Sequence, residues 1–167
     1  MAWGNLTSRW YHKGTNVGGL VHLRVDTTSA STASTRFYEG ANVVIATGGY
    51  AKLAGNGAAG DQYAGVCAKD LTWTAGEANV YVAVWTKGEF NMYFTSDQLS
   101  DIGSVMEVAE AAVAPYGPVA VAANNTAANN VSCGIVVDFG SPADTVKVKI
   151  NGFALGRAGQ QGVGDTA

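Results

Sequence analysis

Chemistry in this chain would have to come from its two histidines, its two cysteines or its aspartates. His12 and His22 are the only histidines, and neither stands beside a Gly-x-Ser-x-Gly elbow or in a His-Glu-x-x-His pattern. Nucleophilic and zinc chemistry are therefore not expected, and His22 reads as an exposed strand residue. Cys67 and Cys133 lie inside short apolar runs, far from any metal-ligand spacing. They read as two buried reduced thiols that pack as small apolar residues, and a disulfide would require their two strands to be neighbours. Asp61, Asp70, Asp138 and Asp144 all fall in or beside turns, where aspartate serves backbone hydrogen bonding, and no pair of them has a spacing that singles out acid-base work. The segment from Gly55 to Gly60 lacks the Lys-Ser/Thr step of a phosphate loop. The chain reads as non-catalytic, with no cofactor and no metal.

The elements that would carry these residues belong to one small domain. A chain of 167 residues can bury a single good core but not two ordinary ones. Only 14% of residues are charged and the formal net charge is -3, so no basic stripe exists to neutralise phosphates, and nucleic acid is excluded as an expected partner. No apolar run reaches the roughly 20 residues that a membrane span needs. The start, Met1-Ala2-Trp3-Gly4-Asn5, lacks the basic and apolar regions of a secretion signal. So little charge on a 47% hydrophobic chain implies that part of the surface is covered by other protein.

Twenty-two glycines with many Val and Thr predict short strands and tight turns, hence a mainly β, compact barrel- or sandwich-like domain. From Leu20 to Asp26, Val21, Leu23 and Val25 alternate with His22, Arg24 and Asp26, as in a half-buried strand. A Ser/Thr/Ala run over 27–35 is too poor in large apolar groups to pack and reads as a spacer. Gly48-Gly49 between two apolar runs predicts a β-hairpin with a two-residue turn. Residues 63–69 and 80–85 read as further strands, with Lys87-Gly88 closing the second before another at 90–94. The valines at 80, 82 and 84 are expected in the core, each stabilising by about 1.5–3 kcal/mol on burial.

One short α-helix is expected at about 96–113. Thr95 and Gln98 form a capping box, Phe94 and Leu99 a hydrophobic staple, and Leu99, Ile102, Met106, Ala109 and Val113 recur at helical spacing up to Pro115. Strands are expected at 119–123, 133–139 and 145–150, separated by an Asn-rich loop at 124–130. The resulting organisation is 1–35 as arm, first strand and spacer, 36–155 as β-rich core, and 156–167 as a tail with too few apolar groups to fold alone.

The chain also echoes itself. Ala64-Gly65-Val66 leads through Asp70 and a loop to Val80–Trp85 and Lys87-Gly88-Glu89-Phe90, while Cys133-Gly134-Ile135 leads through Asp138 and a loop to Val146–Ile150 and Asn151-Gly152-Phe153. Either two similar β units build the sheet or two Gly/Val-rich segments coincide by composition.

Glu39-Gly40 before a Val-rich strand, a Gly-rich loop, Tyr63-Ala64-Gly65-Val66, an acidic residue, Ala75-Gly76, Val80-Tyr81-Val82-Ala83-Val84 and Lys87-Gly88-Glu89-Phe90 follow in an order that resembles the capsid decoration proteins of tailed phages, the lambda-type head-decoration (cement) proteins among them. The resemblance covers about a third of the chain well and the later strands loosely. It implies a structural protein on the outer surface of the virion, made in the host cytoplasm, whose partners are the major capsid protein and two further copies of itself in a homotrimer at three-fold positions. It also implies a flexible N-terminal arm, here with Trp3, Leu6, Trp10 and Tyr11 as capsid-binding residues. A second reading makes Trp10 and Tyr11 part of an ordinary first strand.

The rival function is a carbohydrate-binding β-sandwich. Trp3, Trp10, Tyr50, Tyr63 and Trp73 would stack on sugar faces if they shared one exposed surface.

Overall fold

The computed structural model describes residues 18–27, 36–54, 61–93, 102–103, 105–108, 121–123, 131–139 and 145–151. The arm residues Trp3, Leu6, Trp10 and Tyr11, the spacer at 28–35, the Gly55–Gly60 segment, the loop at 124–130 and the tail at 156–167 lie outside them. The described residues are mostly β and form a compact, curled sheet, as the composition predicts.

In chain order the strands are β1 (Gly18–Arg24), β2 (Arg36–Phe37), β3 (Asn42–Ile45), β4 (Ala51–Leu53), β5 (Gln62–Cys67), β6 (Leu71–Thr72), β7 (Tyr81–Tyr93), β8 (Val105–Val108), β9 (Val121–Ala123), β10 (Val131–Phe139) and β11 (Thr145–Asn151). Among the described residues, nine of them form one sheet in the order β4-β3-β5-β7-β11-β10-β8-β9, with β1 also on β7, while β2 and β6 form a small ribbon. Every pairing is antiparallel, apart from one parallel bridge between Val25 and Ala51.

That order reads the same from both ends because the sheet contains the same unit twice. In the first unit, Val43 pairs with Leu53 and Gly65, Val44 with Lys52 and Tyr63, and Ile45 with Ala51 and Gln62. In the second, Met106 pairs with Ala123 and Gly134, Glu107 with Ala122 and Ser132, and Val108 with Val121 and Val131. One residue is skipped at the same step of each ladder, Ala64 in β5 and Cys133 in β10, a β-bulge that turns the following side chains to the opposite face. The next strands continue the match: Val66 pairs with Trp85 and Cys67 with Val84, as Ile135 pairs with Lys149 and Val136 with Val148. Even β1 has its counterpart, since Val21 and Leu23 lie opposite Val84 and Val82 as Phe90 and Met92 lie opposite Val148 and Val146. The echo in the sequence is a structural duplication.

The two units share a strand. β7 is the last strand of the first and the first strand of the second. Lys87-Gly88, expected to end one strand before another began, is instead the join within 13 uninterrupted residues, where Gly88 takes a φ of +144° that favours glycine. Burial stays in phase across the join, with Val80, Val82, Val84, Thr86, Phe90 and Met92 all inside.

Each unit has an apolar inner face built from matching positions. In the first, Val21, Leu23, Val43, Cys67, Val82 and Val84 lie together, and the Val25–Ala51 bridge brings the end of β1 to β4, so that β1, β7, β5, β3 and β4 run round this core. Phe37 and Trp73, from the ribbon and the residue that follows it, join this core, their ring centroids 5.3 Å apart. In the second, Phe90, Met92, Met106, Val136, Val146 and Val148 do the same, and they pack on Val44, Tyr63 and Val66 of the first unit, with Trp85 alongside. The inner face of the second unit therefore seals the outer wall of the first.

Two further expectations are corrected. The helix at about 96–113 is not formed at 105–108, which is strand β8, hydrogen-bonded to β10 on one edge and β9 on the other. Its neighbours Ile102 and Gly103 form a turn with Gly103 at φ +91°, whose N–H donates to the Val136 carbonyl at 2.8 Å, and the other residues of that span lie outside the described set. Met106 is buried either way, so its place in a helical stripe does not separate helix from strand; two strand edges in need of partners decide it. The Gly48-Gly49 hairpin exists, but its loop is Thr47-Gly48-Gly49. Ala46 and Tyr50 still pair, the Gly49 N–H donates to the Ala46 carbonyl, and only Gly49 takes a positive φ, +83°. This is the three-residue turn in which a left-handed glycine closes a type I turn.

Candidate functional site

Both cysteines and the described aspartates are used within the fold. Cys67 and Cys133 are free thiols, buried in different cores, and donate to the carbonyls of Lys69 at 3.1 Å and Met106 at 3.3 Å. Burial pushes the Cys67 thiol up to about 12, against a smaller opposing effect of the bond to Lys69. It is thus protonated at neutral pH and no nucleophile.

The described aspartates hold the backbone and its neighbours, as their turn positions imply. Asp70 accepts hydrogen bonds from the Glu39 N–H at 2.7 Å and from Arg36 Nη2 at 2.6 Å. These two donors, the backbone one first, hold its carboxyl below the usual range. Arg36 in turn lies 4.4 Å from the centre of the Tyr38 ring, so the cluster ties the segment before β3 to the turn after β5. Asp61 is buried and pairs with Lys52 Nζ at 2.8 Å. Asp138 is exposed, with Lys147 Nζ at 3.4 Å, and Asp144 lies outside the described residues. His22 is exposed on β1, as expected, and His12 is outside the described set. Among the described residues no three His, Cys, Asp or Glu side chains come together as metal ligands.

Of the aromatics proposed for sugar stacking, the three described ones, Tyr50, Tyr63 and Trp73, do not share an exposed surface. Tyr63 lies between the two units, its hydroxyl donating to Asn42 Oδ1 at 2.7 Å, and burial raises its phenol well above the ordinary value. Trp73 is in the first core. Only Tyr50 is partly open, with the Arg24 guanidinium 5.6 Å from its ring centre. Trp3 and Trp10 fall outside the described residues.

What the described residues do present is exposed apolar side chains on the sheet. One strip runs over β1 and the start of β7, where exposed Leu20 and Tyr81 lie in the same row as His22 and Arg24, and Arg24 pairs with Tyr81. The other covers the outer wall of the second unit. There Val105 pairs with Ile135, Ile135 pairs with Lys149, and Val137 and Ile102 are exposed nearby. The corresponding wall of the first unit is closed: Val66 and Asn42 are 1% and 6% exposed, while their counterparts Ile135 and Val105 are 46% and 43% exposed. What these strands offer a partner here is side-chain surface. Sequence reading did not single out either strip. The signal was present only in the echo, because the wall becomes conspicuous once its sealed counterpart is known.

Compared with known proteins, the chain matches no family, no curated protein and no solved structure.

Proposed function

We propose that this chain is a structural, adhesive protein: a decoration (cement) protein that binds the outside of an assembled phage head as a trimer at three-fold positions and stabilises it. The observation that carries the reading is the combination of a small antiparallel sheet with two exposed patches, a mixed one along Leu20, His22, Arg24 and Tyr81 and an apolar one at Val105, Ile135 and Val137. Apolar surface of this kind stabilises a complex through burial. The residues that resemble the decoration proteins, Gly65, Val80 to Val84 and Lys87-Gly88, all serve the first unit and its join to the second. The arm residues Trp3, Leu6, Trp10 and Tyr11 would add large aromatic anchors of the type that dominates interfaces. A trimer that offers three such grips to a symmetric site makes the second and third attachments at an effective concentration on the order of mM, so weak contacts sum to a firm hold.

The test is cosedimentation of the full chain with purified, expanded phage heads, followed by heating of bare and decorated shells. Saturable binding in multiples of three and a raised disruption temperature are expected. Failure to bind any such shell, together with binding of the isolated chain to immobilised glycans, would replace this reading with the carbohydrate one.

A further inference from the structure

We infer that the second unit is a cover over the first: β8 to β11 open ahead of the first unit, which stays folded when they do. The inference goes beyond the decoration reading and does not depend on it.

The two cores depend on each other in one direction only. Every described residue of the first core lies between Val21 and Val84, so opening the second unit removes none of them. The strands around that core return to their start through the Val25–Ala51 bridge, and Phe37 packs on Trp73 within it. The clasp of Asp70 with Arg36 and the Glu39 N–H also lies inside the first unit. The second core, in contrast, is built across the seam and takes Val44, Ala54, Tyr63 and Val66 from the first unit. Where repeated units stack, stability is the sum of what each unit holds by itself and what the interface adds, so a unit whose core is shared needs its neighbour in place.

Opening the seam leaves the buried Tyr63 hydroxyl with its partner, because Asn42, which accepts from it, belongs to the first unit too. What opening bares is apolar. Val44, Tyr63 and Val66 are no more than 1% exposed while the cover is shut, and they would form a wall on a unit that is still folded.

The chain carries a probe in each core, Cys67 in the first and Cys133 in the second. The test is the rate at which each thiol of the full chain reacts with iodoacetamide in urea below the main transition, divided by its rate in the unfolded chain. When reclosing outpaces reaction, this ratio is the population in which that core is open. Cys133 is expected to react about tenfold faster than Cys67, or more. Two substitutions separate ordered opening from a single transition. Val82→Ala weakens the first core, which is intact both in the closed protein and with the cover open, so it should speed Cys67 by about fivefold or more and leave Cys133 unchanged. Met106→Ala weakens the second core and should speed both thiols by one common factor, because both open states have lost that core. Leu53→Ala and Met92→Ala repeat the comparison if either variant does not fold. Equal ratios for the two thiols, faster reaction at Cys67, or a first-core variant that speeds both alike overturns the inference.

Discussion

Gly65 lies so close to the carbonyl of Trp85 that no side chain fits between them, and Gly134 meets the carbonyl of Lys149 in the same way. A Cβ built on either glycine would also come within 2.9 Å of a valine Cγ1, that of Val84 in one unit and of Val148 in the other. Both glycines follow the residue skipped in their ladder, where the bulge brings two strands close together. Gly65→Ala and Gly134→Ala should each destabilise by about 1–3 kcal/mol from the overlap alone. Gly65→Ala should cost more, since its φ of +146° strains any side chain as well. Urea denaturation midpoints measure both, and a neutral substitution at either glycine would show that the close approach is not maintained in solution.

Removing the hydroxyl that links Tyr63 to Asn42 tests the seam between the units. Tyr63→Phe should destabilise by about 1–3 kcal/mol, because it leaves a buried amide oxygen without that donor. Asn42→Ala in the Phe background should then add less than it does in the wild type, and the double-mutant cycle reports the difference as the coupling of the pair.

Acid stability should depend on Asp70. Its folded-state carboxyl titrates below the unfolded value, so its contribution is present above the unfolded value and is lost as pH falls through the folded one. Melting temperature should therefore drop as pH falls below about 4. Asp70→Asn should lower the plateau and flatten that drop. If the variant keeps the wild-type pH profile, the bonds from Glu39 and Arg36 do not persist in solution.

Neither thiol should react readily in the native protein. With Cys67 pushed up to about 12 and both sulfurs buried, alkylation near neutral pH should be slow and should rise to two equivalents only on unfolding. Fast modification of one thiol in the folded chain would show local opening of its core.

Alternation made most of the strands legible in the sequence. Val21, Leu23 and Val25 announce β1, and the valines at 80, 82 and 84 announce the start of β7, because a period of two survives wherever one face is buried. Glycine proved harder to read. Gly88 looked like a stop since it follows a lysine in an otherwise apolar run, but a strand can bend at glycine without ending. Met106 fitted a helical stripe through Leu99, Ile102 and Val113, and nothing local reveals that β10 and β9 need a strand between them. The surface was the least legible part. Whether Ile135 is core or wall depends on which unit covers which, and that is a tertiary fact.

The shared strand has a mechanical consequence. Because β7 passes through both units as one backbone, they cannot be pulled apart by peeling one ladder open. Tension between them runs along a covalent chain flanked by β1, β5 and β11, and those hydrogen bonds are loaded in shear, many at once. Any object fastened at its two ends to this molecule would be held by a tie rod anchored in buried apolar side chains, Val82 and Val84 at one end and Phe90 and Met92 at the other.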